Sequence, residues 1–124
     1  MAETYVKAFS LAFGAYAAQM LVVPNKMVTD HFNAPATPML NFWIRGQAVS
    51  LASMIFLLNK VDTDTALTVA TASSAAIGIL YPWNAKFGYL SPEIPKIVKY
   101  PMHYVPECLM AALTLGGLYL MATK

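Results

Sequence analysis

The chain has 124 residues, 58% of them hydrophobic and only 11% charged, whereas a soluble domain carries about 25% charged residues. That composition describes one domain without enough charge to coat a water-facing surface, and a scattered net charge of +2 excludes an electrostatic nucleic-acid binder. A single cysteine, Cys108, excludes an internal disulfide, and no spacing of Cys and His fits a zinc site.

The first apolar segment runs from Tyr5 to Val23. Ala15-Tyr16-Ala17 mimics a signal-peptide cleavage site, but Glu3 beside the single Lys7 does not suit a basic n-region, so a retained membrane helix is expected. Pro24 ends it, and residues 24–37 read as a polar connector. Thr37 offers an N-cap and Pro38 a first-turn proline for a second helix, which reaches Asn59-Lys60. After a short turn, Thr63 or Asp64 is the expected cap of a third helix ending at Tyr81 and Pro82. Residues 84–103 contain Pro92, Pro95 and Pro101, which argue against a long helix. Tyr89, Ile94, Ile97, Val98 and Tyr100, interleaved with Lys86, Lys96 and Lys99, suit a segment lying on a membrane surface. A fourth helix follows from Tyr104 to Ala122. The sequence thus predicts an all-α chain with transmembrane helices over about 5–23, 38–60, 64–81 and 104–122, and a proline-rich surface segment between the third and fourth. Each run is close to the ~20 residues a bilayer core demands.

Four crossings place both long connectors on one side. Lys26, Lys86, Lys96 and Lys99 against Asp30 and Glu93 bias that side toward cytoplasm, matrix or stroma. In lipid, helices associate through small residues. Gly46 and Ser50, the ladder Ala70, Ser74 and Gly78, and Gly116 are the expected inward stripes. Leu51, Phe56, Leu57, Leu113, Leu118 and Leu120 are then left to face outward.

Arg45 is the costly residue, because a charge inside a bilayer needs a partner. Glu107 enters the fourth helix from the same side at a compatible depth, so an Arg45–Glu107 tie is expected, with Asn41, Gln47 and Asn84 near that level. His31 and His103 lie at the same membrane boundary and are candidate ligands for a chlorophyll magnesium, as is the side-chain oxygen of Asn84. Chlorophyll, carotenoid or bound lipid are the expected cofactors. No catalytic constellation and no metal site are legible.

The stretches VVPNKM, TDHFNAPATP and FWIRGQAVSLA, with an Arg-Gly early in the second helix, resemble the small four-helix DoxX-like membrane proteins over roughly residues 15–85. The resemblance implies a four-helix bundle. It implies no settled activity; a membrane oxidoreductase or small-molecule carrier of DoxX type, working at Arg45, Glu107 and Cys108, is the alternative role. From the residues themselves the expectation is a non-catalytic accessory subunit of a large membrane complex, a photosystem or its antenna. That places it in the thylakoid membrane among other membrane subunits, lipids and pigments. A respiratory complex, and hence a mitochondrial or bacterial inner membrane, is the alternative setting.

Overall fold

Prolines and side-chain caps set where each helix begins. The computed structural model describes Met1–Lys124 and contains six α-helices, one 3-10 turn and no named strand. The helices are α1 (Ala2–Val22), α2 (Pro24–His31), α3 (Pro38–Leu58), α4 (Thr63–Leu80), α5 (Pro82–Phe87) and α6 (Tyr104–Thr123), with the 3-10 turn at Ile94–Ile97.

Pro24 and Pro82 do more than end the helices before them. Each becomes the first residue of a new short helix, α2 and α5. Proline suits that position because its fixed φ is already helical and no first-turn N–H has an intrahelical partner. Both prolines are the expected stops, but the connectors after them are not irregular throughout: they open with α2 and α5. α3 starts as expected: Pro38 is in the first turn and Thr37 Oγ1 accepts from the Leu40 N–H at 3.1 Å.

The cap of α4 lies one residue before the expected pair. Asp62 accepts from the Thr65 N–H at 3.0 Å and from the Thr65 hydroxyl at 2.7 Å. The Thr65 side-chain and then backbone hydrogen bonds hold the Asp62 carboxyl below its ordinary value of 3.8. A lowered native value gives stability that is present above the unfolded value and lost as pH falls through the native one. Asp62→Asn keeps the acceptor but does not titrate. Its thermal midpoint should therefore fall less than that of the native chain between pH 5 and pH 3, roughly the span over which a hydrogen-bonded carboxylate is protonated. Parallel profiles across that range would remove the cap from this account.

α1, α3, α4 and α6 pack as a bundle of four long helices, with α1 and α4 in contact and α3 and α6 at opposite corners. Polar contacts fix the direction of each neighbour. At one end Asn59 Nδ2 donates to Ser10 Oγ at 3.0 Å, and Lys124 pairs with Asp64 at 3.5 Å. At the other end lie α2, α5 and both long connectors. These are knitted together: the Asn33 N–H donates to the Ile97 carbonyl at 2.6 Å and the Lys99 N–H to the His31 carbonyl at 2.8 Å. Lys99 Nζ also donates to the Thr29 carbonyl at 2.7 Å. The core is a column of Phe9, Phe13, Leu51, Leu58, Ala66, Leu67, Ala70, Met110 and Leu113. The Tyr5 hydroxyl, buried beside it, donates to the Leu113 carbonyl at 2.7 Å and ties α1 to α6.

The small-residue stripes divide. Ala70, Ser74 and Gly78 are buried, and Trp83 packs directly on Gly78. Gly46 and Ser50 are exposed instead, and a Cβ on Gly46 would meet nothing within 4 Å. On α6 it is Gly117, not Gly116, that meets α4, through Thr71. Leu51 and Leu113, expected outside, are buried, whereas Phe56, Leu57 and Leu118 are exposed as expected.

Only 26 of the 124 residues are buried, so most of the apolar side chains lie on the outside of the bundle. α6, and α4 continued into α5, are long and apolar enough to cross a membrane. α1 and α2 supply a third crossing if the pair, bent by 112°, is one broken span. α3 is as long but carries Asn41, Arg45 and Gln47. The chain is therefore all-helical with two or three candidate spans, and a fourth crossing is not established by length and apolarity.

Candidate functional site

The end that holds the two connectors concentrates the polar chemistry. His103 precedes α6 and Glu107 lies one turn inside it, a spacing that puts the two side chains on one helix face. His103 Nδ1 and Glu107 Oε2 are 2.6 Å apart. The Tyr100 hydroxyl donates to the same oxygen at 2.6 Å, and Lys86 Nζ lies 3.4 Å from Oε1. The Glu107 backbone carbonyl accepts from Trp83 Nε1 at 3.2 Å. Lys86 also sits over the rings of Tyr100 and Tyr104, at 5.2 and 5.3 Å, where a cation is attracted to the π face. Tyr100 exposes part of its ring but turns its hydroxyl to Glu107. Burial and then that hydrogen bond hold the hydroxyl well above the ordinary phenol value, so it stays protonated as the donor.

His103 is fully buried. Its ring lies among those of Phe32, Tyr81, Tyr100 and His31, at centroid distances of 5.5, 5.7, 6.0 and 6.1 Å. Nδ1 faces the carboxylate, and Nε2 has no hydrogen-bond partner. His31 is 2% exposed and its Nδ1 lies 2.8 Å from the Met27 carbonyl. Tyr16 extends the row, its ring 6.4 Å from that of His31.

The expected Arg45–Glu107 tie does not form. The two residues sit on helices at opposite corners of the bundle, since α3 and α6 are diagonal and do not touch. Arg45 Nε instead donates to the Leu21 carbonyl at 3.1 Å. That carbonyl lies in the last turn of α1, where the helix leaves its acceptors free and the dipole favours a cation. Asn41 reaches Asn25.

Asn84, one of the expected chlorophyll contacts, is fully engaged within the chain. Asn84 Oδ1 accepts from the Leu90 and Ser91 N–H groups at 2.9 and 3.1 Å, and Nδ2 donates to Ser91 Oγ at 3.0 Å. Asn84 therefore shapes the turn after α5 and has no oxygen to spare. His31 and His103 are 2% and 0% exposed. Cys108 is exposed and stands apart from Arg45.

Beside the histidines lies a cavity of about 580 Å³ between the four long helices and the connectors. Phe13 and Tyr16 of α1, Ile44, Gln47 and Leu51 of α3, Ile77 and Leu80 of α4, and Met110 of α6 line it, with Tyr81, Phe32, Ile94 and Ile97 toward the connectors. Arg45, Glu107 and Cys108 do not.

His31, His103 and Glu107 were singled out in the sequence, but Glu107 pairs with Lys86, His103 and Tyr100 and not with Arg45. The four-residue spacing of His103 and Glu107 was a readable signal for their pairing. Lys86 and Tyr100 carry no such signal, because only the fold brings α5 and the connector to α6. Compared with known proteins, the chain matches no family model, and no curated protein or solved structure is significantly similar to it. The DoxX-like resemblance thus rests on the motifs quoted above alone.

Proposed function

We propose that the protein is an integral membrane subunit with four crossings, α1, α3, α4 and α6, and that it serves a large assembly by packing rather than by catalysis. The observation that carries this reading is the outer surface of the bundle. Leu11, Val22, Met39, Phe42, Trp43, Phe56, Leu57, Leu115, Leu118 and Tyr119 are all exposed along its sides. Monomeric soluble proteins rarely expose contiguous apolar surface beyond a few hundred Å². Two further features support it. Of 91 backbone hydrogen bonds, 72 lie within the helices, as a hydrocarbon solvent demands. Trp43, Phe42, Tyr89, Tyr100 and Tyr104 gather toward the connector end, where an aromatic belt would meet the headgroups. Arg45, bound to the Leu21 carbonyl near that end, then lies close to the interface, where a charge costs least.

A photosystem or its antenna in the thylakoid membrane is the parent assembly proposed from the sequence. The test is extraction in mild detergent followed by native electrophoresis. Migration within a large chlorophyll-bearing assembly supports both the subunit role and that parent. Migration within a large colourless assembly supports the role and moves the parent to a respiratory complex. A lone small oligomer, or a protein released from membranes by alkaline wash, overturns the reading.

A further inference from the structure

We infer that the cavity between the bundle and its connectors is a binding site for an uncharged lipophile that carries one oxygen head group. Its volume of about 580 Å³ lies in the ~300–1,000 Å³ range of pockets that bury a small molecule. Every long helix contributes to its wall, so it is part of the fold and not a gap at one helix pair.

The chemistry of the wall names the guest. Residues such as Phe13, Ile44, Leu51, Ile77 and Met110 offer only hydrocarbon and a thioether, with no charge. Three of the lining residues carry a hydrogen-bonding group: Tyr16, Tyr81 and Gln47. Tyr5, Asn84 and Tyr100 are hydrogen-bonded within the chain, to Leu113, Ser91 and Glu107. Tyr16 and Tyr81 make no such bond. They stand at the two ends of the row Tyr16–His31–His103–Tyr81, each ring 5.7–6.4 Å from the next. An anion is excluded because no cation lines the cavity, and a cation because no carboxylate does. A hydrocarbon body with a hydroxyl or carbonyl fits both halves of the wall. Membrane lipid is the nearest source of such molecules on the reading above, but the inference stands on the cavity and does not require four crossings.

The test uses the full chain in detergent micelles, with all-trans-retinol as the oxygen-headed probe and axerophthene, the same polyene without the hydroxyl, as its control. Native mass spectrometry counts bound molecules and a fluorescence titration gives affinity. One retinol per chain is expected. Replacing both tyrosines, Tyr16→Phe with Tyr81→Phe, removes two hydrogen bonds and should weaken retinol by about 5- to 100-fold while leaving axerophthene unchanged. Ile77→Trp sets a bulky ring into the cavity wall and should weaken both probes by more than about tenfold. Should that variant fail to fold, the tyrosine pair decides, because it changes no packing volume. Absence of saturable binding overturns the site. Retinol affinity untouched by the tyrosine pair overturns the head-group assignment, as does an equal loss for axerophthene. Migration in a large assembly bears on the subunit role alone, so the two readings fail separately.

Discussion

Glu107→Ala is expected to destabilise the protein by about 2–4 kcal/mol, the range for removing the acceptor of a buried charged network. The carboxylate serves three donors on three segments: His103 at the start of α6, Tyr100 on the connector and Lys86 on α5. Without it, Tyr100 and Lys86 can turn to water, since both are partly exposed, but His103 cannot. Most of the cost therefore comes from the buried imidazole. Glu107→Gln keeps an oxygen acceptor for one donor and loses the charge, so about half of that loss is expected. Chemical unfolding in detergent measures both. An alanine variant within about 0.5 kcal/mol of the native chain would show that the cluster is incidental to the fold.

Gly117→Ala should be the most damaging single methyl. At Gly117, α6 comes against Thr71 of α4, and an added Cβ would collide with the Thr71 hydroxyl and lie 2.9 Å from its Cβ and Cγ2. Thr71 cannot swing away cheaply, because its hydroxyl donates to the Leu67 carbonyl at 2.7 Å. Overpacking of this kind costs about 1–3 kcal/mol. Gly46→Ala is the matched control, since nothing lies within 4 Å of its would-be Cβ. There alanine's helix propensity should stabilise by up to about 1 kcal/mol. Opposite signs for the two substitutions, read as shifts in thermal midpoint, are the expected result. Two shifts of the same sign would place the α4–α6 approach elsewhere.

The long helices were legible in the sequence because hydropathy and caps set them. Pro38 behind Thr37 starts α3 where expected, and the first helix was expected to end at Val23 and ends at Val22. The orientation of each helix about its own axis was not legible. In a soluble helix the polar face marks the outside, but here the outside is apolar too, so Leu51 in the core and Leu57 on the surface read alike. Small residues gave no better guide, since Gly46 faces outward while Gly117 meets α4. The site failed for the same reason. Depth along a helix follows from counting residues, which put Arg45 and Glu107 at compatible levels. Which corner of the bundle each helix occupies does not follow from counting, and α1 and α4 lie between them. Gln47, Tyr16 and Tyr81 were legible only as residue types, and their meeting at one cavity needed the bundle.

The cross-links between the two connectors imply a pattern of deuterium uptake that neither would show alone. Asn33 and Lys99 lie outside every α-helix, in segments whose amides would ordinarily exchange at once. Each donates instead to a carbonyl on the other connector, about 65 residues away along the chain, as paired strands do. Both amides should therefore exchange late and together, and should lose protection in a single event when the two segments part.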